Sequence, residues 1–286
     1  MDETQIRIAI PNKGRLKAPS LEMLEKCQLA VESGEDERRL WAQTADPNVS
    51  VVFARSEDIP DIVEAGAADC GISGLDLVRE RGCDVDVLQK LGFGKCRIVI
   101  AGPKKAGLAA LDGKKIATKM PNILAGYCKA KGIRPQIVKL KGATEVSPML
   151  GVSSYICDHV STGSTLAANS LVEIATVFES EACLIGFKKA PREKREFLES
   201  LSTLVEGTVA ARGKKYLMMN VNEKNLKRLV QSIPSSKSPT VLPLARKGEY
   251  AVHTVVPSRG LAKMISRLEA LGARDILVVG INQVIP

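Results

Sequence analysis

The chain has 286 residues, 45% hydrophobic and 26% charged, with 41 Lys and Arg against 32 Asp and Glu for a net charge of +9. No apolar run approaches the roughly 18 residues of a membrane span, seven singly scattered cysteines form no disulfide framework, and two histidines cannot build a multi-histidine metal site. A basic balance favours anionic partners, but aromatics are only 3% and no Lys/Arg block exceeds two, so polyanionic small substrates are expected and nucleic acid is not.

"IRIAIP" (Ile6 to Pro11) alternates and is β-rich, so it reads as a strand, followed by the turn "NKGRL" and a helix over "PSLEMLEKCQL" with Ser20 as its cap. A strand from Val49 to Ala54, a short helix from Ser56 to Ala65, a strand into the glycine loop "DCGISG" and a helix start at "LDLVRERG" follow. Alternating strands and helices imply an α/β fold with a largely parallel sheet. "CRIVIAGP" (Cys96 to Pro103) is a strand that closes this first unit. A fresh start follows: strand "KKIATKM", helix "PNILAGYCKAKG" closed by Gly132, strand "QIVKLKG", short helix "VSPMLGVSS" and strand "YICDHV". After "DHVSTGSTLAANSL" and the strand material "LVEIATVFESEACLIGF", the chain returns to the first unit near Ala182 with the charged helix "PREKREFLESLSTLVEGTVAAR". The expected layout is lobe I over 1–101 and 182–212, lobe II over 102–181, and a C-terminal module over 213–286. In that module "KKYLMMNV", "NEKNLKRLVQSI", a Pro/Ser-rich connection, "AVHTVVP", "LAKMISRLEALG" and "ARDILVVGINQVI" read as an α+β, ferredoxin-like unit. The N-terminus "MDETQIRIAIPNKGR" has no apolar signal core, so a cytoplasmic location with no membrane partner is expected.

Four strand ends carry polar chemistry. In "DHVSTGSTLAANSL" a strand runs through Ser161, Thr162, Gly163, Ser164 and Thr165 into a helix. A helix start offers free N–H groups to an anion, and Gly163 lets the backbone approach one closely. One Ser or Thr suffices for a cap; four hydroxyls around one glycine exceed that need, and both a cap and a phosphate cradle stay open. Asp158 sits at the strand's carboxyl end, where ligands dock in open α/β sheets. Lys13 and Arg15 flank Gly14 after the first strand and form either a solvated basic turn or a pyrophosphate grip. Arg55 follows another strand, and Gly71, Ser73 and Gly74 form a glycine loop that is ordinary turn chemistry when taken alone. Glu145 either meets a ribose hydroxyl or caps "VSPML". No nucleophile elbow, Walker lysine loop or HExxH motif is present, and no residue stands out as a general base.

The ordered set "IRIAIPNKGRL", "DIPDIVEAGAADCGISGLDLV", "KIATKMPNILAGYCKAKGI", "GATEVSP", "DHVSTGSTLAANSL" and "SPTVLPLA…AVHTVVP…LEALGARDILVVGI" resembles the long form of ATP phosphoribosyltransferase. The resemblance implies a bilobed, type II periplasmic-binding-protein-like catalytic core and an ACT-like regulatory domain. It implies ATP and 5-phosphoribosyl 1-pyrophosphate as substrates, Mg²⁺ as cofactor, histidine as inhibitor and a homo-oligomer, dimer or hexamer. It also distributes roles. Ser161 to Thr165 would hold the 5-phosphate, and Asp158 and Glu145 the ribose. Lys13 and Arg15 would serve catalysis by facing pyrophosphate. Gly14, Arg55, Gly71, Ser73 and Gly74 would frame nucleotide and pyrophosphate. Asn222, Thr240 and Asp275 would bind the effector, and no residue is assigned to metal. The sequence departs from the family pattern at Ser164, Ala167, Ser170, Met120, Asn222 and His159, the last at a commonly apolar position and taken as tolerated rather than catalytic.

Overall fold

The computed structural model describes residues 5–32, 40–103, 107–142, 144–160, 164–233 and 238–285. The chain divides into two compact units, Met1–Val205 and Glu206–Pro286.

The first unit holds two sheets. One is built from β1 (Ile6–Pro11), β2 (Trp41–Gln43), β3 (Val49–Ala54), β4 (Cys70–Gly74) and β5 (Val85–Lys90), with helices α1 (Lys17–Lys26), α2 (Ile59–Glu64) and α3 (Leu75–Arg81). The other is built from β6 (Cys96–Gly102), β7 (Lys115–Thr118), β8 (Gln136–Lys139), β9 (Tyr155–Val160) and β10 (Val172–Ser180), with α4 (Pro121–Ala130) and α5 (Ser164–Ala168). Strand β11 (Ala182–Phe187) then returns to the first sheet, and α6 (Arg192–Ala211) leads out of it.

The sheet orders are β2-β3-β1-β4-β11-β5 and β10-β6-β9-β7-β8. Apart from the added edge strand β2, the two match. Each runs second, first, third, incoming and fourth strand, with the incoming strand antiparallel to both neighbours. This repeated order is the bilobed type II arrangement that the resemblance implies. It also corrects one expectation. "CRIVIAGP" does not close lobe I: β6 pairs with β9 and β10, so the chain crosses between lobes at Lys95–Cys96 rather than near residue 101. A strand's identity is a local property, whereas its partner is not.

Each sheet carries its own core. Ile8 and Ile10 on β1 and Ile72 on β4 are fully or almost fully buried, each burial stabilising by about 1.5–3 kcal/mol. Both faces of these parallel strands are covered, so they read as continuous apolar runs. In the second lobe Ile98, Ile100, Ile116, Leu124 and Cys157 form the corresponding core. All cysteines but Cys83 are buried, and none is paired. Burial pushes the Cys157 and Cys183 thiols up to about 12, so they act as small apolar side chains rather than nucleophiles.

Several local features differ from the sequence-based expectations. Ser20 does not cap α1: it lies inside the helix, buried, and its Oγ donates to the Leu16 carbonyl at 2.7 Å. "VSPMLGVSS" forms no α-helix; a 3-10 turn over Thr144–Val146 leads into further turns. Strands β2 and β5 went unpredicted. β2 spans only three residues and β5 is a half-exposed edge, so both have weak apolar patterns.

The second unit contains β12 (Lys214–Asn222), α7 (Glu223–Ser232), β13 (Thr240–Pro243), β14 (Glu249–Pro257), α8 (Leu261–Ala270) and β15 (Arg274–Gly280). Its all-antiparallel sheet runs β13-β14-β12-β15, the order of a ferredoxin-like βαββαβ sandwich. Leu229 of α7 and Leu268 of α8 join Leu217, Met219, Val221, Val252 and Val256 in one core. The Pro/Ser-rich connection thus conceals an edge strand, β13, which pairs on one side only.

Candidate functional site

Strands β1, β3 and β4 are parallel neighbours, so their carboxyl ends lie along one edge of the first sheet. The turn Lys13-Gly14-Arg15 leaves β1 there. Gly14 has φ +80° with open space around it, so backbone conformation rather than crowding calls for glycine. Asn12 N donates to the Ala54 carbonyl at 2.8 Å, fixing this turn beside the end of β3, where the exposed Arg55 follows. The Asn12 Oδ1 atom is buried and accepts no hydrogen bond among the described residues. Lys13, Gly14 and Arg15 line a cavity of about 360 Å³ whose other walls include Gly74, Asp76 and His159. Residues of both lobes therefore face one space.

The "GISG" segment is not a loop. It is β4, buried throughout and central in its sheet. A Cβ at Gly71 would stand 2.7 Å from Ile59 Cγ2 and 3.0 Å from the Ala9 carbonyl oxygen, so glycine here serves helix-to-sheet packing. The Ser73 Oγ donates to the Ser56 carbonyl at 2.9 Å. Gly71 and Ser73 are thus interior residues, and of this segment only Gly74 reaches the cavity.

On the second lobe, β9 runs past the end of its parallel neighbour β7, since Cys157 is its last residue paired with that strand. Asp158 and His159 project beyond that point and pair only with β6. Lys119, just after β7, sits 3.6 Å from Asp158 Oδ2. The Asp158 Oδ1 accepts the His159 backbone N–H at 2.7 Å and lies 3.5 Å from its Nδ1. The other ring nitrogen, Nε2, is 2.7 Å from Asp76 Oδ2. The Ser180 Oγ donates to Asp76 Oδ1 and accepts the Asp76 backbone N–H at 3.0 Å. Lys119, Asp158, His159 and Asp76 make a chain of alternating charge that starts in the second lobe and ends in the first.

The electrostatics follow from this geometry. Hydrogen bonds to Asp158 and then Asp76 outweigh desolvation and raise His159 from 6.5 to about 9, so its ring is charged at neutral pH. Burial pushes the Asp76 carboxyl up, but hydrogen bonds from His159 and Ser180 overcome it and hold the group below its ordinary value. Burial likewise opposes ionisation of Asp158, and His159, its backbone N–H and Lys119 reverse that. The Cys96 Sγ lies within 4.8 Å of the Asp76 and His159 ligand atoms. Yet both Asp76 oxygens and Nε2 already satisfy one another and Ser180, so this group is complete without an ion.

Ser161, Thr162 and Gly163 lie outside the described residues; Ser164 and Thr165 open α5. Glu145 is half-buried in the 3-10 turn beside β9. In the second unit Asn222 and Asp275 lie on the β12–β15 side of the sheet. The Arg274 guanidinium donates to Asn222 Oδ1 at 3.3 Å, and Asn220 Nδ2 donates to Asp275 Oδ2 at 3.0 Å. Asp275 has φ +52° at a register shift between β12 and β15. Thr240 is elsewhere. It pairs with His253, level with Met218, two strands across from β12 and four residues from Asn222. The chain by itself does not bring the three residues expected to bind the effector together.

Comparison with known proteins fits this arrangement. The family described as "HisG: ATP phosphoribosyltransferase" matches residues 55–207, and "HisG, C-terminal domain" matches residues 211–283. The chain belongs to the ATP phosphoribosyltransferase family. It is 43% identical to the ATP phosphoribosyltransferase of Natronomonas pharaonis and 41% identical to that of Methanosarcina acetivorans, in each case over 98% of this chain and 100% of the relative. Among solved structures, the "ATP phosphoribosyl transferase (HisG:HisZ) complex from Thermotoga maritima" is similar with a TM-score of 0.60 and 31% identity, over 71% of this chain and 99% of that one. ATP phosphoribosyltransferases are pentosyltransferases of histidine biosynthesis, and the present one carries the C-terminal domain of the long form. Sequence reasoning missed Asp76 and Ser180 and dismissed His159. The available signal was the adjacency of His159 to Asp158; nothing local pointed to Asp76 as its partner.

Proposed function

We propose that the cavity between the lobes binds ATP and 5-phosphoribosyl 1-pyrophosphate, and that adenine N1 displaces pyrophosphate from ribose C1 to give phosphoribosyl-ATP. The observation carrying this reading is the meeting of the Lys13-Gly14-Arg15 turn with the β9 edge of the other lobe around one cavity. Adenine N1 already has a lone pair and pyrophosphate is already a leaving group. Catalysis then consists of positioning two polyanions and stabilising the departing charge. Lys13 and Arg15 suit the pyrophosphate oxygens, Arg15 as a bidentate donor. Asp158, held between Lys119 and His159, is oriented to accept the ribose hydroxyls. The run Ser161 to Thr165, directly after β9, holds the 5-phosphate in this scheme.

Mg²⁺ fits as an ion carried by the substrates' phosphates. Asp76, the carboxylate among the described residues lining the cavity, is engaged by His159 and Ser180, and the neighbouring Asp158 by Lys119, so neither is a free ligand for the ion. Bound there it would neutralise phosphate charge. Histidine inhibition through the C-terminal domain, a dimer–hexamer equilibrium and a cytoplasmic location complete the proposal; no helix among the described residues is long and apolar enough to cross a membrane. Since Thr240 is remote from Asn222 and Asp275 within one chain, a shared effector site takes its residues from two copies.

The test is the absorbance rise of phosphoribosyl-ATP with purified protein, requiring ATP, phosphoribosyl pyrophosphate and Mg²⁺ together. A folded protein that forms no product refutes the reading. Sedimentation with and without histidine tests the assembly, and an unchanged profile overturns the shared effector site.

A further inference from the structure

We propose that His159 is a positioning residue: by bridging Asp158 to Asp76 across the hinge, it orients the carboxylate that meets the sugar and ties its affinity to the state of one imidazole. The proposal rests on the assignment of Asp158 to the ribose made above.

The bridge has a defined place in the repeated topology. Asp76 lies two residues past the third strand of the first sheet, in the first turn of α3, and His159 is the penultimate residue of the third strand of the second. The two lobes are joined at Lys95–Cys96 and at Ser180–Ala182. Asp76 is bonded to that second crossing through Ser180, and the neighbouring Leu75 N donates to the Glu181 carbonyl at 3.0 Å. The Asp76–His159 contact therefore lies where lobe rotation displaces atoms least, so it suits a fixed orienting contact rather than a gate at the cleft mouth.

Only a charged imidazole serves both carboxylates. With two ring protons, Nε2 donates to Asp76 and Nδ1 faces Asp158. A neutral ring has one proton and presents a lone pair to one of the anions. The shorter contact, Nε2 to Asp76 at 2.7 Å, keeps that proton, so that among the described residues Asp158 would then be held by Lys119 and the His159 backbone N–H. The groups facing the ring are Asp76 from α3, Asp158 from its own strand and Cys96 from β6. Lys119 stands behind Asp158, and Lys13 and Arg15 lie across the shared cavity. The nearest charges are the two carboxylates, which favour the charged ring.

Two measurements test this. His159 and His253 are the only histidines, so in a His253→Gln background the imidazole resonance reports His159 alone. Its midpoint should lie near 9 and fall toward 6.5 in Asp76→Asn. In steady-state kinetics, the wild-type KM for phosphoribosyl pyrophosphate should rise about tenfold as the ring loses its proton, with kcat changing less. His159→Gln, whose amide still donates but does not titrate, should show a raised KM that is flat with pH, with Trp41 fluorescence verifying that the variant is folded under the assay conditions. A His159 midpoint near 6.5 overturns the bridge. A displaced midpoint with a wild-type KM profile in His159→Gln overturns the positioning role alone. Absence of product from the wild-type enzyme removes the sugar assignment and this role with it, while the resonance still reports whether the bridge exists.

Discussion

Gly74→Ala isolates the packing of the hinge network without altering a single charge. Gly74 has φ −78° and ψ 137°, an extended conformation that alanine adopts freely. On backbone entropy alone the substitution should stabilise by about 0.4–1 kcal/mol. The structure predicts the opposite sign. A Cβ at position 74 would collide with Asp76 Oδ1, the atom that accepts the Ser180 hydroxyl, and would stand 3.4 Å from the Asp76 carboxyl carbon. The Asp76 side chain is only 7% exposed and is also held by His159, so it cannot swing aside freely. Making room sacrifices a hydrogen bond to a charged group, about 1.5–3 kcal/mol, for a net loss of about 1–2 kcal/mol after the entropy gain. For a unit of this size that lowers Tm by roughly 2–8 °C. The sole tryptophan, Trp41, sits on β2, so its fluorescence follows unfolding of the first lobe. In an Asp76→Ala background the obstructing atom is gone, and Gly74→Ala should become neutral or stabilising. An unchanged or raised Tm in the single mutant, or an equal penalty in both backgrounds, would refute the reasoning.

Three further predictions concern the same regions. The folded His159 value is raised from 6.5 to about 9, so its contribution to stability is full below about pH 6.5 and disappears as pH rises through about 9. The loss is on the order of 3 kcal/mol, read from urea midpoints across that window, and Asp76→Asn should flatten the slope. Ser73→Ala should lower stability by about 1 kcal/mol, because the part-buried Ser56 carbonyl loses its donor, and should leave the KM for ATP unchanged; a selective rise in that KM would restore Ser73 to the nucleotide site. Thr162→Val should weaken phosphoribosyl pyrophosphate binding by about 1–3 kcal/mol, measured by titration calorimetry, and unaltered affinity would remove the 5-phosphate from this loop.

What the sequence reveals depends on how local each feature is. The long apolar runs of β1, β3 and β6 and the amphipathic helices of the C-terminal unit carry their own periodicity, so they are legible from the residues alone. The basic turn Lys13-Gly14-Arg15 is legible as well, because a glycine between two cations directly after an apolar strand marks a turn, and Gly14 indeed has φ +80°. Edge strands are harder. β5 and β13 bury one side or none, so their alternation is weak, and prolines and serines around β13 suggest a connection. "GISG" misleads for a physical reason: small residues allow a loop to approach a ligand, but they equally allow a helix to approach a strand. Ile59 against Gly71 shows that the second use applies here.

The least legible feature is the one that joins the lobes. Asp76 and His159 are 83 residues apart, and each has an ordinary local explanation, a carboxylate in the first turn of a helix and a polar residue near a loop. Their meeting follows from the topology. The same strand order occurs in both sheets, and in each the incoming antiparallel strand lies beside the third strand. Both third strands must therefore end next to a crossing, β4 beside β11 and β9 beside β6. Residues at or just beyond the ends of β4 and β9 are brought to the hinge by connectivity alone. With a carboxylate at one end and an imidazole next to a second carboxylate at the other, opposite charges meet where the lobes are joined. An apolar side chain at 159 would leave the buried Asp76 with Ser180 as its remaining side-chain partner among the described residues, and loss of the imidazole's hydrogen bond and charge would shift its carboxyl up. The histidine thus lets a buried acid stay ionised at the hinge while it holds a second acid, Asp158, beside the cavity that both Asp76 and the imidazole line.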